Sequence, residues 1–325
     1  MQVNNTVPRT SVVNEKMPSV AVVMATYNGE LYLRDQVNSI FTQQDVAVSL
    51  FIYDDCSTDG TVALLGKLTD EYRNMGFDIN VRCGASNVGF PTSFFSALNF
   101  VNGSFDYFAY SDQDDVWKPD KLITAIKSIS NFEEKNGMVL YFEPTTAVDE
   151  QLNYLFERQL DSLHLDLSAF FVRARVAAHT MVFDNQMKQE LCRLGIKHNG
   201  FSHGWLALLI AAAAKASIIV GDTSHTLHRR LSSSVSAGGQ GVVKRIAFEW
   251  NSIFKPEVDR SSMAAILREA YSGILTKQED DFLFELATYK KSFCSKIRLL
   301  SPKNYKTDLC VASFEAVLSI LFNCY

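Results

Sequence analysis

A chain of 325 residues that is 47% hydrophobic and 21% charged can bury a substantial core and is too apolar to be a disordered polymer. Its 31 Lys and Arg against 36 Asp and Glu leave a formal net charge of −5, which excludes a domain that lives by bulk attraction to nucleic acid. The six cysteines show no CxxC spacing and follow a polar N-terminus, so a zinc ribbon is excluded and reduced thiols in a cytoplasmic protein are expected.

Residues 1–17 read as a loose polar tail. Ser19–Thr26, SVAVVMAT, is a short run rich in valine and predicts a buried strand. Leu31, Leu33, Val37, Ile40 and Phe41 then recur at helical spacing. A second strand, Val46 to Tyr53, runs into Asp54-Asp55, and Thr58-Asp59-Gly60 opens a helix carrying Val62, Leu64, Leu65 and Leu68. A weak strand at Asp78–Arg82, a helix at Gly89–Phe100 and a strand at Phe105–Tyr110 follow, the last ending on Ser111-Asp112-Gln113-Asp114-Asp115. Strand alternating with helix predicts an α/β fold with a mostly parallel central sheet and flanking helices. Ligands of such sheets lie at the carboxyl ends of the strands. There the sequence places TYN, DD and DQDD.

Beyond Trp117 the spacing predicts a helix at Pro119–Ser130 and strands at Met138–Phe142, Ala147–Asp149 and Thr180–Phe183. A helix at His203–Lys215 and closing strands at Ser217–Val220 and His225–Arg229 follow. Trp205–Val220 is strongly apolar but contains Lys215 and is shorter than a membrane span, so a buried helix entering a strand is expected. The small-residue run Ser232–Gly241 marks a boundary. The organisation is thus a tail at 1–17, a domain at 18–240 divided near 116/117, and a helical region at 241–325. The last segment, Leu309–Tyr325, follows Lys290, Lys291, Lys296, Arg298, Lys303 and Lys306. It suits either a helix lying in a membrane interface or one packed on the domain.

Three carboxylates within four residues repel one another unless a cation compensates, and hard oxygen ligands suit Mg²⁺ or Mn²⁺. An aromatic ring can stack on a nucleobase, and a carboxylate can accept its N–H. Taken singly, each of the three strand-end signatures also reads as a turn or helix cap. Together they fit a nucleoside diphosphate with a divalent cation. Asp112-x-Asp114-x-Val116 also matches the opening motif of haloacid-dehalogenase-type phosphatases, although about 110 residues precede it and TYN and DD go unused.

The runs VAVVMATYNGELYLRDQVNSIFTQQ, YDDCSTDGT, NVGFPTSFFSAL and DYFAYSDQDDVWKPDKL resemble the family 2 glycosyltransferases, most of all the bacterial rhamnosyltransferase-type members. The resemblance implies a GT-A nucleotide-sugar fold and inverting sugar transfer, with dTDP-rhamnose the first donor to consider. It implies a lipid-linked surface-polysaccharide acceptor and peripheral contact with the inner face of the cytoplasmic membrane. By position, Tyr27 and Asp55 hold the nucleobase, Thr26 and Asn28 line the same pocket, and Asn87 flanks the donor. Asp112 and Asp114 match the metal-binding pair, with Asp114 the expected direct ligand, Asp115 and Trp117 face donor sugar or acceptor, and Arg229 and Arg230 are the candidates for the diphosphate. Two positions depart from the family. Gly204 stands where a catalytic carboxylate is expected, leaving His203 as the candidate base with a pKa near ~6.5. Leu231 replaces a metal-binding histidine, for which His228 could substitute. These departures also allow a non-catalytic protein that holds a nucleotide-sugar.

Overall fold

The computed structural model describes residues 17–132, 137–173, 176–195, 200–231, 258–301, 304 and 310–325. The expected tail through residue 16 and the boundary at 232–241 lie outside the described residues. Among those described, the first half alternates as the sequence pattern predicts: β1 (Ser19–Thr26), α1 (Leu33–Phe41), β2 (Ala47–Asp54), α2 (Thr61–Asn74), β3 (Asp78–Cys83), α3 (Thr92–Phe100) and β4 (Tyr107–Ser111). A two-residue β5 (Val116–Trp117) and α4 (Lys121–Asn131) lead to β6 (Val139–Phe142), β7 (Thr145–Val148) and β8 (Tyr154–Arg158). Then come α5 (Leu167–Val172), a 3₁₀ turn at Ala178–Thr180, β9 (Val182–Asp184), α6 (Asn185–Gly195), α7 (His203–Ala213), β10 (Ser217–Val220) and β11 (Thr226–Arg229). The helices α8 (Arg260–Tyr271), α9 (Lys277–Thr288), α10 (Phe293–Leu299) and α11 (Cys310–Leu321) close the chain.

Seven strands form the main sheet in the order β10-β6-β9-β4-β1-β2-β3. All neighbours are parallel except β9, which runs antiparallel between β4 and β6. Both faces are covered, which is why β1 is apolar at nearly every position rather than alternating. Its Ala21, Val23 and Ala25 point into a core shared with α3, α6 and α7, while Val20, Val22 and Met24 meet α1, α2 and α4. The helix α7 is buried nearly all round, which accounts for its lack of a polar stripe. The last helices join the first of these cores through Leu267, Leu283 and Ile320. Tyr325 is buried too, and its carbonyl accepts the Tyr289 hydroxyl at 2.9 Å. The described part of the C-terminal segment is therefore packed on the domain. No helix of the described residues is long and apolar enough to cross a membrane.

A second sheet, β5-β11-β7-β8, stands beside the first. A buried polar knot ties the two together. Lys121, at the start of α4, donates from Nζ to Thr226 Oγ1 at 2.7 Å and to the His179 carbonyl at 3.2 Å, and lies 3.5 Å from Glu143 Oε1. Glu143 also accepts the His225 backbone N–H at 2.9 Å and the Tyr141 hydroxyl at 3.2 Å. Burial pulls the Glu143 carboxyl upward, but Lys121 and His225 outweigh it and hold the carboxyl below its usual range.

Candidate active site

The carboxyl ends of β1, β2 and β4 open onto a cavity of about 720 Å³ lined by Thr26, Tyr27, Asp55, Asn87, Phe90, Phe94, Asp112 and Asp114 among others. Local chemistry shapes each wall. At β1, Asn28 adopts φ 49°, a left-handed conformation that asparagine tolerates, and its Oδ1 accepts the Thr58 N–H at 2.8 Å. Asn28 thus braces the turn after β2 rather than lining the cavity. Thr26 is buried and donates to Asp54 Oδ1 at 3.0 Å. Tyr27 is 45% exposed, its ring free to stack, while its backbone is clamped by Gln113. That amide accepts the Tyr27 N–H at 2.9 Å and donates to its carbonyl at 3.2 Å, as a neighbouring strand would.

Asp55 is 2% exposed and accepts the backbone N–H groups of Val88 and Gly89, each at 2.8 Å. It therefore fixes the loop that carries Asn87 to the cavity. Asp55→Ala should free that loop, leaving two N–H groups without their acceptor at about 1–3 kcal/mol each. Hydrogen exchange at Val88 and Gly89 should quicken and nucleotide affinity fall together. Unchanged exchange would show that the loop is held by something else.

At the inner end of the cavity, four side chains from three elements converge. His179 Nδ1 lies 2.9 Å from Asp112 Oδ2 and 3.4 Å from Asp115 Oδ2, and His228 Nδ1 lies 2.9 Å from Asp115 Oδ1. The two imidazoles stack at 4.7 Å. One candidate ligand atom from each of Asp112, Asp115, His179 and His228 lies within 4.8 Å of all the others. Burial raises the Asp112 carboxyl, but the hydrogen bond and charge of His179 prevail and bring it down to about 2. Burial and the charges of Asp115 and Asp112 push Asp114 up to about 7. Burial lowers His228, and the three carboxylates more than reverse this. His179 Nε2 and Asp115 Oδ2 are buried without a hydrogen-bond partner. Crowded carboxylates, orphaned donor atoms and a mixed N/O set fit a divalent cation such as Mn²⁺.

The sequence reading places Asp112, Asp114 and His228 at the metal and Asp115 at the donor sugar or acceptor, whereas the structure brings Asp112, Asp115 and His228 into the converging group. Asp114 instead faces the cavity. His179 was missed: a lone histidine in a 3₁₀ turn carries no spacing signal. Two residues lie elsewhere. Arg229 is 4% exposed, donates to Asp35 Oδ2 at 2.5 Å and to the Glu150 carbonyl at 2.9 Å, and covers the Tyr32 ring. Strand alternation explains it, since His228 faces the site and its neighbour must face away. Trp117 is 2% exposed and packs in the core on the α1 and α4 side of the sheet, with Lys121 Nζ 4.8 Å from its ring centre.

His203 differs from its expected near-neutral titration. It is stacked at 3.8 Å on Phe94, edge-on to Tyr110, with neither ring nitrogen bonded. Burial holds it down to about 3, against the pull of Asp112. An imidazole so weakly basic is a poor proton acceptor at neutral pH. Beside it, a Cβ at Gly204 would sit 2.6 Å from the Ala178 Cβ. The glycine lets α7 approach the turn that presents His179. Gly204→Asp should therefore destabilise the protein by about 1–3 kcal/mol rather than simply supply a carboxylate. Urea unfolding checks this, and an undiminished midpoint would show that the turn yields.

Residues 21–147 match the model of glycosyl transferase family 2. Through that segment, the chain is similar to the family. It is 34% identical over 146 residues to a dTDP-rhamnosyl transferase of Shigella flexneri, covering 41% of this chain and 50% of the relative. It is 36% identical over 105 residues to a putative teichuronic acid biosynthesis glycosyltransferase of Bacillus subtilis, covering 32% and 39%. The chain thus spans half or less of these curated relatives. Staphylococcus aureus TarS in complex with UDP-GlcNAc superposes with a TM-score of 0.54 at 14% identity, covering 93% of this chain and 88% of that one. A Pyrobaculum calidifontis mannosyltransferase with GDP-Man and Mn²⁺ gives 0.50 at 16%, covering 95% and 88%. These likenesses establish the GT-A fold. The phosphatase reading falls with it, because here Asp112 follows the fourth strand of a GT-A sheet.

Proposed function

We propose that this protein transfers a sugar, with inversion, from a nucleotide-sugar donor to a glycan acceptor. The observation that carries the reading is the strand-end cavity, with an aromatic face and a buried carboxylate at one end and the Asp–His cluster at the other. Tyr27 stacks on the base, and Asp55 with Asn87 forms the edge that faces it. Asp112, Asp115, His179 and His228 would hold the cation, with Asp114 beside them, and the cation would neutralise the departing diphosphate. Phe90 and Phe94 exclude water from the sugar.

The relative from Shigella makes L-rhamnose from dTDP-rhamnose the first donor to test, and the relative from Bacillus supports a surface polysaccharide as product. We place the acceptor on a lipid carrier at the inner face of the cytoplasmic membrane. Exposed Phe293 (76%) and Ile297 (55%) near Lys290, Lys291 and Arg298 support peripheral contact there. Phe293→Ser/Ile297→Ser should reduce co-sedimentation with anionic vesicles, and equal sedimentation would remove that contact.

Dissociation constants for dTDP-rhamnose, UDP-GlcNAc and GDP-mannose, each with and without Mn²⁺, test the donor reading. Mn²⁺-dependent binding of one of them is expected, and binding of none would contradict it. A second reading is favoured by Gly204, which provides no proton acceptor where the family has one. On that reading the protein holds nucleotide-sugar without turnover, and binding would be seen with no nucleoside diphosphate released in the presence of any acceptor.

A further inference from the structure

A second, smaller cavity of about 100 Å³ is lined by His179 and His228 together with residues of the four-stranded sheet. Strand register builds it. His228 pairs with Ala147 and Ala147 with Phe156, so all three share one face, and Thr145 pairs with Arg158 on the same face. Arg230, two residues beyond His228, points the same way. Thr145 and Ala147 are small, so the central strand forms the floor of a trough. The long side chains of Arg158, Phe156, His228 and Arg230 form its banks.

The electrostatics are opposite to those of the donor cavity. That cavity is lined by Asp55, Asp112 and Asp114, with no arginine or lysine among the described residues that line it. The trough is lined by two arginines and two histidines, with no acidic residue among the described residues that line it. Its volume is roughly that of three waters at ~30 Å³ each, enough for one phosphate or carboxylate and too small for a sugar ring. Phe156, 45% exposed at the mouth, offers an apolar face on which a ring can lie. The donor cavity reaches Asp112 and the trough reaches His179 and His228, so the Asp–His cluster borders both, and a cation held there would serve the donor's diphosphate.

We propose, resting on the donor reading above, that the trough is an acceptor subsite. Arg158 and Arg230 hold an anionic substituent of the acceptor glycan, and Phe156 carries the adjoining sugar ring. Forked guanidinium groups suit planar or tetrahedral oxyanions.

The test is a glycan array of matched oligosaccharides that are neutral, phosphorylated or uronate-bearing, probed with the full chain in Mn²⁺. In parallel, calorimetry measures UDP, dTDP and GDP. The parent should be retained on anionic spots above neutral ones, with the phosphate and uronate arms naming the group recognised. Arg158→Ala and Arg230→Ala should each cut that retention about tenfold or more, since a charge-assisted hydrogen bond is lost. Arg158→Lys and Arg230→Lys should keep part of it, and nucleoside diphosphate affinity should stay at the parental value. Equal retention on neutral glycans, or no retention at all, would overturn the proposal. So would arginine variants that lose nucleoside diphosphate affinity while keeping glycan retention, because the arginines would then serve the donor. Failure of the parent to bind any nucleoside diphosphate would instead sink the donor reading, and the array would still decide the anion subsite.

Discussion

Replacing Lys121 with methionine should lower unfolding stability by about 3–5 kcal/mol, the cost of leaving a buried charge without its partner. Lys121 and Glu143 are 1% and 0% exposed. The lysine is also the bolt between α4, the turn bearing His179 and β11, so its loss should loosen the Asp–His cluster. The pH dependence has a definite sign. The folded pKa of Glu143 is lowered from 4.5, so its charged form contributes stability above that value. That contribution disappears as pH falls through the folded pKa. The gap between parent and Lys121→Met should therefore narrow below about pH 4.5. The double variant Lys121→Met/Glu143→Leu should be more stable than Lys121→Met alone, because no buried carboxylate then lacks the Lys121 charge. Urea denaturation at several pH values reads all of this. A single-variant loss under about 1 kcal/mol would mean that water reaches the knot.

His179→Ala and Asp115→Asn should each weaken Mn²⁺-dependent nucleoside diphosphate binding by about 100-fold, or about 2.7 kcal/mol, while binding without metal stays at the parental level. The split between the two conditions matters, since a folding defect would lower both. Metal affinity in the parent should also rise with pH between about 6 and 8. Asp114, at about 7, and His228, raised from 6.5, must give up protons when the cation enters. Affinities that ignore both substitutions and pH would place the cation elsewhere.

How much of this was readable from the chain alone follows from the kind of signal each part carries. The strands β1, β2 and β4 are buried on both faces and announce themselves as valine- and aromatic-rich runs that end on polar residues. The polar ends then locate the cavity. The strand β8 is exposed at four of its five positions and has no such run, and β5 is only two residues long, so the second sheet was only half visible. His179 enters the site because Lys121 grips its carbonyl and Gly204 admits the neighbouring Ala178. Both contacts span distant parts of the chain and leave no local pattern. Arg229 is different: the period of a strand already puts it opposite His228, and carrying roles over by position hid that rule. His203 has the right neighbours in sequence but is enclosed by Phe94 and Tyr110, and burial of that kind is a tertiary property.

The most direct measurement of the central claim is an anomalous difference map from crystals of the full chain grown with Mn²⁺ and the nucleoside diphosphate it binds best. A manganese peak is expected within coordinating distance of Asp115, His179 and the Asp112 or His228 side chain, touching the diphosphate, with the base against Tyr27. A peak away from the Asp–His cluster, or a nucleotide bound outside the strand-end cavity, would contradict it.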